Sequence, residues 1–206
     1  MIEIVKTPIF THEVFSFRLP NFENYKKQIE QIILVEDNKS IHKIDTSISL
    51  EDNVKAKRTA WNSHQKYQPL KNICDDISIY IQEFIYKEDY DIPYLELEEC
   101  WINWYGKGQN AVPHHHGPSL SVVLFVDVED TDASFYFHAN KNLVLHKKSD
   151  VKTNFNNHVE VKAKNGTVLF FDGRTMHSVS PNLKNKTRVT MAMNFKAVYT
   201  EKRNEY

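Results

Sequence analysis

The chain has 206 residues, 41% of them hydrophobic and 26% charged, with 26 basic against 27 acidic residues and a net charge of -1. That length can bury one sizeable core, and the even charge argues against a nucleic-acid binder, which would carry a marked basic excess. No stretch approaches the ~18 apolar residues of a membrane span and no basic-then-apolar leader opens the chain, so neither a membrane helix nor a signal peptide is expected. Cys74 and Cys100 sit in apolar-periodic stretches with no CxxC spacing. They read as buried free thiols, in keeping with a cytoplasmic location.

Residues 2–18 alternate roughly, punctuated by Pro8 and Pro20, and read as one or two short strands. Asn21 is a candidate N-cap. After it Phe22, Tyr25, Ile29, Ile32 and Ile33 fall at helical spacing to about Leu34. Residues 36–66 are polar and weakly periodic, a loop with one short strand where Ile44, Thr46 and Ile48 alternate with polar residues. A second helix over 68–87 carries Leu70, Ile73, Cys74, Ile77, Tyr80, Ile81, Phe84 and Ile85 on its buried stripe. Both helices read as supports packed on a sheet.

From Tyr94 the period changes to two. Leu95 to Tyr105 makes a long strand ended by Gly106 and Gly108. The apolar run Ser121–Val128 reads as a strand buried on both faces, and Ser134–His138 as another. Residues 139–157 are polar, a lid, substrate rim or plain surface excursion, with a short strand at Leu143–Leu145. Val159, Val161 and Ala163 alternate, Asn165-Gly166 predicts a two-residue hairpin turn, and Thr167–Phe171 returns. From Arg188 to Tyr199, Arg188, Thr190, Ala192 and Asn194 share one face and Val189, Met191, Met193 and Phe195 the other. Helices first and about eight strands after them predict an α+β, mainly β fold, an antiparallel sandwich or barrel buttressed by N-terminal helices. Without a repeat or linker, residues 1–206 read as one domain, with support elements in 1–93 and the barrel core in 94–200.

The chemistry concentrates in the second half. His114 and His116 flank His115, so in extended chain they point one way and His115 the other. His177 follows a short apolar strand that begins with a turn glycine, and such a strand end opens on a barrel mouth. His114, His116 and His177 are therefore the candidate ligands of one metal ion, a facial set that leaves coordination positions open. The other seven of the ten histidines read as surface or ordinary hydrogen-bonding residues. Arg188 is one of only five arginines and stands in an apolar strand, where an unpaired guanidinium is costly. An acidic co-substrate would pair with it, with Thr190 adding a hydrogen bond. A glutamate across the sheet, Glu96, Glu98 or Glu99, is the alternative partner.

Gly106, Gly108, Asn110, Pro113, His114 and His116, then Gly166, Phe171, Asp172, His177, Val179, Pro181 and Asn182, then Arg188, Thr190 and Asn194 form a pattern over residues 94–197. It resembles the Fe(II)- and 2-oxoglutarate-dependent dioxygenases, in a branch related to prolyl hydroxylases and found in bacteria and phages. The resemblance implies a double-stranded β-helix. It implies His114 and His177 as iron ligands, Arg188 with Thr190 on the far carboxylate of 2-oxoglutarate, and Asn103, Tyr105 and Asn194 lining the pocket. It also implies a hydroxylase that consumes 2-oxoglutarate and dioxygen and releases succinate and CO2. The primary substrate is unnamed, with a peptide or protein side chain favoured by the analogy.

One departure stands out: the superfamily's usual His-x-Asp or His-x-Glu is His114-x-His116 in this chain. Asp127 and Asp172 are the alternatives for a missing carboxylate. A cupin-type metal protein shares the His-x-His spelling, but its glutamate a few residues on is absent, since Ser119, Leu120 and Ser121 stand there. A barrel that has lost its chemistry and acts as an interaction module is the third reading. Oligomeric state is not readable from the sequence.

Overall fold

Apolar residues recurring every three or four positions make the outer layer helical, and those recurring every two make the inner layers sheet. The computed structural model describes residues 13–38, 54–88, 94–131, 133–138 and 158–198. The elements run β1 (Val14–Arg18), α1 (Phe22–Asp37), β2 (Val54–Lys55), β3 (Lys57–Arg58), α2 (Ser63–Lys66) and α3 (Gln68–Lys87). Eight strands follow: β4 (Leu95–Tyr105), β5 (Asn110–His114), β6 (Leu120–Asp127), β7 (Phe135–His138), β8 (His158–Val161), β9 (Thr167–Asp172), β10 (His177–Val179) and β11 (Arg188–Ala197). They form a six-stranded sheet ordered β1-β9-β6-β11-β4-β3 and a five-stranded sheet ordered β2-β5-β10-β7-β8. Two antiparallel sheets face to face, with helices outside one of them, are the mainly β double-stranded β-helix expected.

Two cores result. Ile29, Ile77, Ile102, Leu124, Met191 and Phe195 pack between the helices and the six-stranded sheet. Tyr105, Val123, Phe125, Phe135, Phe171 and Val179 pack between the two sheets. Central strand β11 serves both: Val189, Met191, Met193 and Phe195 face the helices, while Arg188, Thr190 and Ala192 face a cavity between the sheets. No described helix is long and apolar enough to cross a membrane.

Several expectations change. Asn21 does precede α1, but in a left-handed conformation (φ 55°) and with no side-chain cap. Tyr80 is not on the buried stripe; it is exposed, with its ring tilted against that of Phe17. The predicted loop 36–66 contains β2, β3 and α2. Strand β2 joins the edge of the five-stranded sheet and β3 the edge of the six-stranded one, so the chain passes from one sheet to the other across the single residue Ala56. Strands of two residues have no period to read, which is why the sequence conceals them. The predicted hairpin at Asn165-Gly166 is absent, because β8 pairs with β7 in one sheet while β9 pairs with β6 and β1 in the other. The turn instead carries the chain between sheets: Asn165 Oδ1 accepts the backbone N–H of Val128 (2.8 Å) and of Glu129 (3.3 Å). The strands expected before residue 13, at 44–48 and at 143–145, and the whole 139–157 segment, lie outside the described residues.

Candidate metal centre

Strand β5 ends on His114 and β10 begins on His177, and the antiparallel register sets these two residues directly opposite each other. His116 follows two residues beyond His114. One ring nitrogen from each of His114, His116 and His177 lies within 4.8 Å of the other two, close enough to share an ion. Ring centroids are 4.4 Å apart for His114–His177, 4.9 Å for His116–His177 and 5.3 Å for His114–His116. The triad contains no carboxylate among the described residues. Asp127 is taken by Lys186 at 3.1 Å and Asp172 by Arg174 at 2.6 Å. His115 is exposed, and its Nδ1 accepts the Gly117 N–H at 3.2 Å.

Gly173, absent from the sequence reading, holds the loop after His116. His116 N–H donates to Gly173 O (2.8 Å) and Gly173 N–H donates to Ser119 O (2.7 Å). A Cβ at Gly173 would sit 2.7 Å from Ser119 O and 2.8 Å from Gly117 O, both backbone atoms, so only glycine permits this approach.

The partners of each imidazole fix which nitrogen carries the proton. His114 Nδ1 lies 2.7 Å from Val112 O, and His177 Nδ1 lies 2.9 Å from Thr175 O. A carbonyl only accepts, so both Nδ1 atoms are protonated and both Nε2 lone pairs are free. Burial pushes the His114 imidazole down to about 4 and the His177 imidazole down to about 3, with neighbouring imidazoles adding to it. Burial also lowers His116. The three rings are thus neutral near pH 7, the form that binds metal.

Beside the triad lies a cavity of about 200 Å³, lined also by Trp61, Trp101, Asn103, Tyr105, Arg188 and Thr190. That volume falls below the ~300 Å³ lower end for drug-sized ligands and suits a small acid. Arg188 is 1% exposed, and its Nε and Nη1 have no hydrogen-bond partner among the described residues. The expected glutamate alternative is not realised: Arg188 stands opposite Tyr105 in the β4–β11 register, while Glu99 stands opposite Asn194 at the far end. Burial lowers the guanidinium to about 10, so it is still charged at pH 7. Its Cζ lies 5.5 Å from the Tyr105 ring centroid and 5.6 Å from that of Phe125. Cation–π attraction supplies roughly 0.5–2 kcal/mol, less than the roughly 3–5 kcal/mol cost of a buried charge without its partner. The arrangement is therefore built for an anion.

Asn103 and Thr190 are cross-strand neighbours on this wall, and Asn103 Oδ1 is likewise without a partner. Asn194 does not line the cavity as expected; it sits behind His116, with its Oδ1 2.9 Å from His116 Nδ1. Val54, Arg58 and Trp61, from the segment read as loop, close one side. Arg58 stacks on Trp61 at 4.1 Å, and Trp61 meets Trp101 edge-on at 4.5 Å.

Residues 99–194 match the family described as "Putative 2OG-Fe(II) oxygenase". No curated protein matches the chain. Among solved structures the chain is similar to a prolyl hydroxylase from Trichoplax adhaerens in complex with a hypoxia inducible factor oxygen degradation domain peptide fragment. The TM-score is 0.62 at 13% identity, covering 89% of this chain and 83% of that one. It is also similar to the viral collagen prolyl hydroxylase of Paramecium Bursaria Chlorella virus-1 in its 2OG complex (TM-score 0.52, 15% identity, 90% and 96% covered). HygX from Streptomyces hygroscopicus, solved with nickel and 2-oxoglutarate, gives a TM-score of 0.58 at 12% identity, with 92% and 84% covered. At such identities the likeness is one of fold; the match over residues 99–194 takes in His114, His116, His177 and Arg188 and carries the assignment further. That stretch, a little under half of the chain, is similar to the 2OG-Fe(II) oxygenases.

Proposed function

We propose that this protein is an Fe(II)- and 2-oxoglutarate-dependent hydroxylase acting on a peptide or protein side chain. His114, His116 and His177 hold the iron through Nε2, and the residues fit that group: three neutral imidazoles with free lone pairs converge on one point. Arg188 holds the far carboxylate of 2-oxoglutarate as a charge-assisted pair, helped by Thr190 and by the amide of Asn103. Tyr105 walls the same pocket. Iron held there would supply the site at which dioxygen oxidises 2-oxoglutarate to succinate and CO2, one oxygen atom entering succinate and the other the substrate C–H bond.

The chain's own residues orient and exclude. Arg188 sets the depth of the diacid, so that its other end lies beside the triad. The Tyr105, Phe125 and Val123 walls keep water from the guanidinium, which strengthens the pairing. Trp101 and Trp61 form an aromatic corner at the open side, suited to the apolar ring or chain of a side chain presented to the metal. The peptide fragment in complex with the Trichoplax adhaerens prolyl hydroxylase, a neighbour in fold, supports the substrate class. The observation that carries the proposal is Arg188, buried and charged, with Nε and Nη1 unpartnered among the described residues, lining the cavity that the triad also lines.

Calorimetric titration tests it. Arg188→Ala is expected to weaken 2-oxoglutarate binding by at least ~30-fold, the loss from truncating one side of a buried charged pair. Iron affinity is expected to stay within about threefold, because Arg188 touches no ligand atom. Equal loss of both would remove Arg188 from its assigned role.

A further inference from the structure

A row of three polar side chains crosses the six-stranded sheet behind His116. Asn194 on β11 is flanked in register by Ser121 on β6 and Glu99 on β4. Asn194 Nδ2 donates to Glu99 Oε2 at 2.9 Å, and Ser121 Oγ donates to Asn194 Oδ1 at 3.0 Å. A carboxylate only accepts, so the Asn194 amide is oriented with its NH2 towards Glu99 and its oxygen towards His116. That oxygen then accepts the N–H of His116 Nδ1 at 2.9 Å, and Ser121 Oγ lies 3.0 Å from the same nitrogen. His114 and His177 receive the same service from backbone carbonyls, whereas His116 alone depends on side chains.

Backbone geometry singles out Glu99. The β4–β11 register slips between Asn194 and Phe195, so that Asn194 faces Glu99 while Phe195 faces Leu97. Glu98 is the extra residue of a bulge. Beyond it Leu95 and Leu97 turn to the helix-side core, although alternation from Trp101, Asn103 and Tyr105 would send them to the cavity side. Glu99 thereby keeps the face of Trp101 and Asn103, directly beside Asn194, at the point where the alternation of β4 is interrupted.

We infer that Glu99 and Asn194 are positioning residues for the metal centre: Glu99 orients the Asn194 amide, and Asn194 holds His116 with its Nε2 lone pair towards the ion. The inference rests on His116 being a ligand, as proposed above. It gives the missing carboxylate a place. The negative charge that a ligand aspartate or glutamate would bring directly is supplied two hydrogen bonds away, where it raises the basicity of the third imidazole.

The test reads the tautomer and the affinity separately. In metal-free, 15N-histidine-labelled protein near pH 7.5, long-range 1H–15N correlation is expected to show His116 protonated on Nδ1. Asn194→Ala is expected to shift it towards the Nε2–H form and to weaken Co(II) binding by ~10–100-fold, the usual cost of losing such a partner. Glu99→Gln, at a half-buried position where folding is less at risk, is expected to give a mixture of tautomers and a smaller loss. The reversed pair Glu99→Gln with Asn194→Asp keeps an acceptor on His116 and is expected to recover most of the affinity lost in Asn194→Ala. An unchanged tautomer in Asn194→Ala, unchanged Co(II) affinity, or a reversed pair no better than Asn194→Ala would overturn the inference. Failure of the wild-type protein to bind Co(II) would instead overturn the metal reading, because the tautomer is measured without metal.

Discussion

Arg188 is a liability until it is paired. Its charge survives burial, and two aromatic rings offset only part of the cost. Arg188→Met is therefore expected to raise the melting temperature of the ligand-free protein while abolishing the shift that 2-oxoglutarate gives the wild type. A variant less stable than wild type without ligand would mean that the guanidinium has a partner. The histidines make a second prediction, on pH. Burial in the folded protein pushes His114 down to about 4 and His177 down to about 3, whereas unfolded both return to about 6.5. Between these values the unfolded chain binds more protons, so the metal-free protein loses stability as pH falls from about 6.5 towards 4. Urea midpoints measured from pH 7.5 to 4.5 should fall across that range, and a flat profile would contradict the burial of neutral rings. At this scale the sequence was informative where chemistry constrains identity: a histidine pair at spacing two, and an arginine in an apolar strand. It could not separate Asn194 the pocket liner from Asn194 the support of His116, since both roles ask only for a polar residue on the inward face.

Among the elements, periodic ones were legible and irregular ones were not. The α3 stripe and the two faces of β11 follow from spacing alone. The Asn165-Gly166 turn misled because turn chemistry specifies a local bend and says nothing about which sheet the next strand joins. Gly166 also serves packing: its φ is +82°, and a Cβ would lie 2.8 Å from Phe22 Cγ. Gly173 is tight for another reason, since backbone oxygens close on it. The two sites predict different losses. Gly166→Ala should cost on the order of 1–3 kcal/mol of stability in chemical denaturation while leaving Co(II) affinity near wild type. Gly173→Ala should weaken Co(II) binding in protein that remains folded, because it displaces the loop that carries His116. Equal Co(II) affinities for the two variants would deny Gly173 that part.

For the molecule as a whole, the helices and the barrel share one core. Ile102, Leu124, Met191, Met193 and Phe195 lie on the sheet face that α1 and α3 cover. Residues 94–200 expressed alone are expected to aggregate, and the 206-residue chain to unfold in one transition by near- and far-ultraviolet dichroism. A soluble, monomeric 94–200 fragment would show that the first half is dispensable for folding. The sequence made the order of layers readable, helices before strands, but not the bridge at Ala56 that joins both sheet edges and brings Val54, Arg58 and Trp61 to the cavity.

The central claim is that one iron, three imidazoles and a 2-oxo diacid anchored on Arg188 meet in this cavity. Visible absorption under anaerobic conditions tests it most directly. Ferrous iron added together with 2-oxoglutarate is expected to give a charge-transfer band that neither gives alone and that His177→Ala and Arg188→Ala both lose. Iron bound at the triad with no 2-oxoglutarate-dependent band would contradict the account.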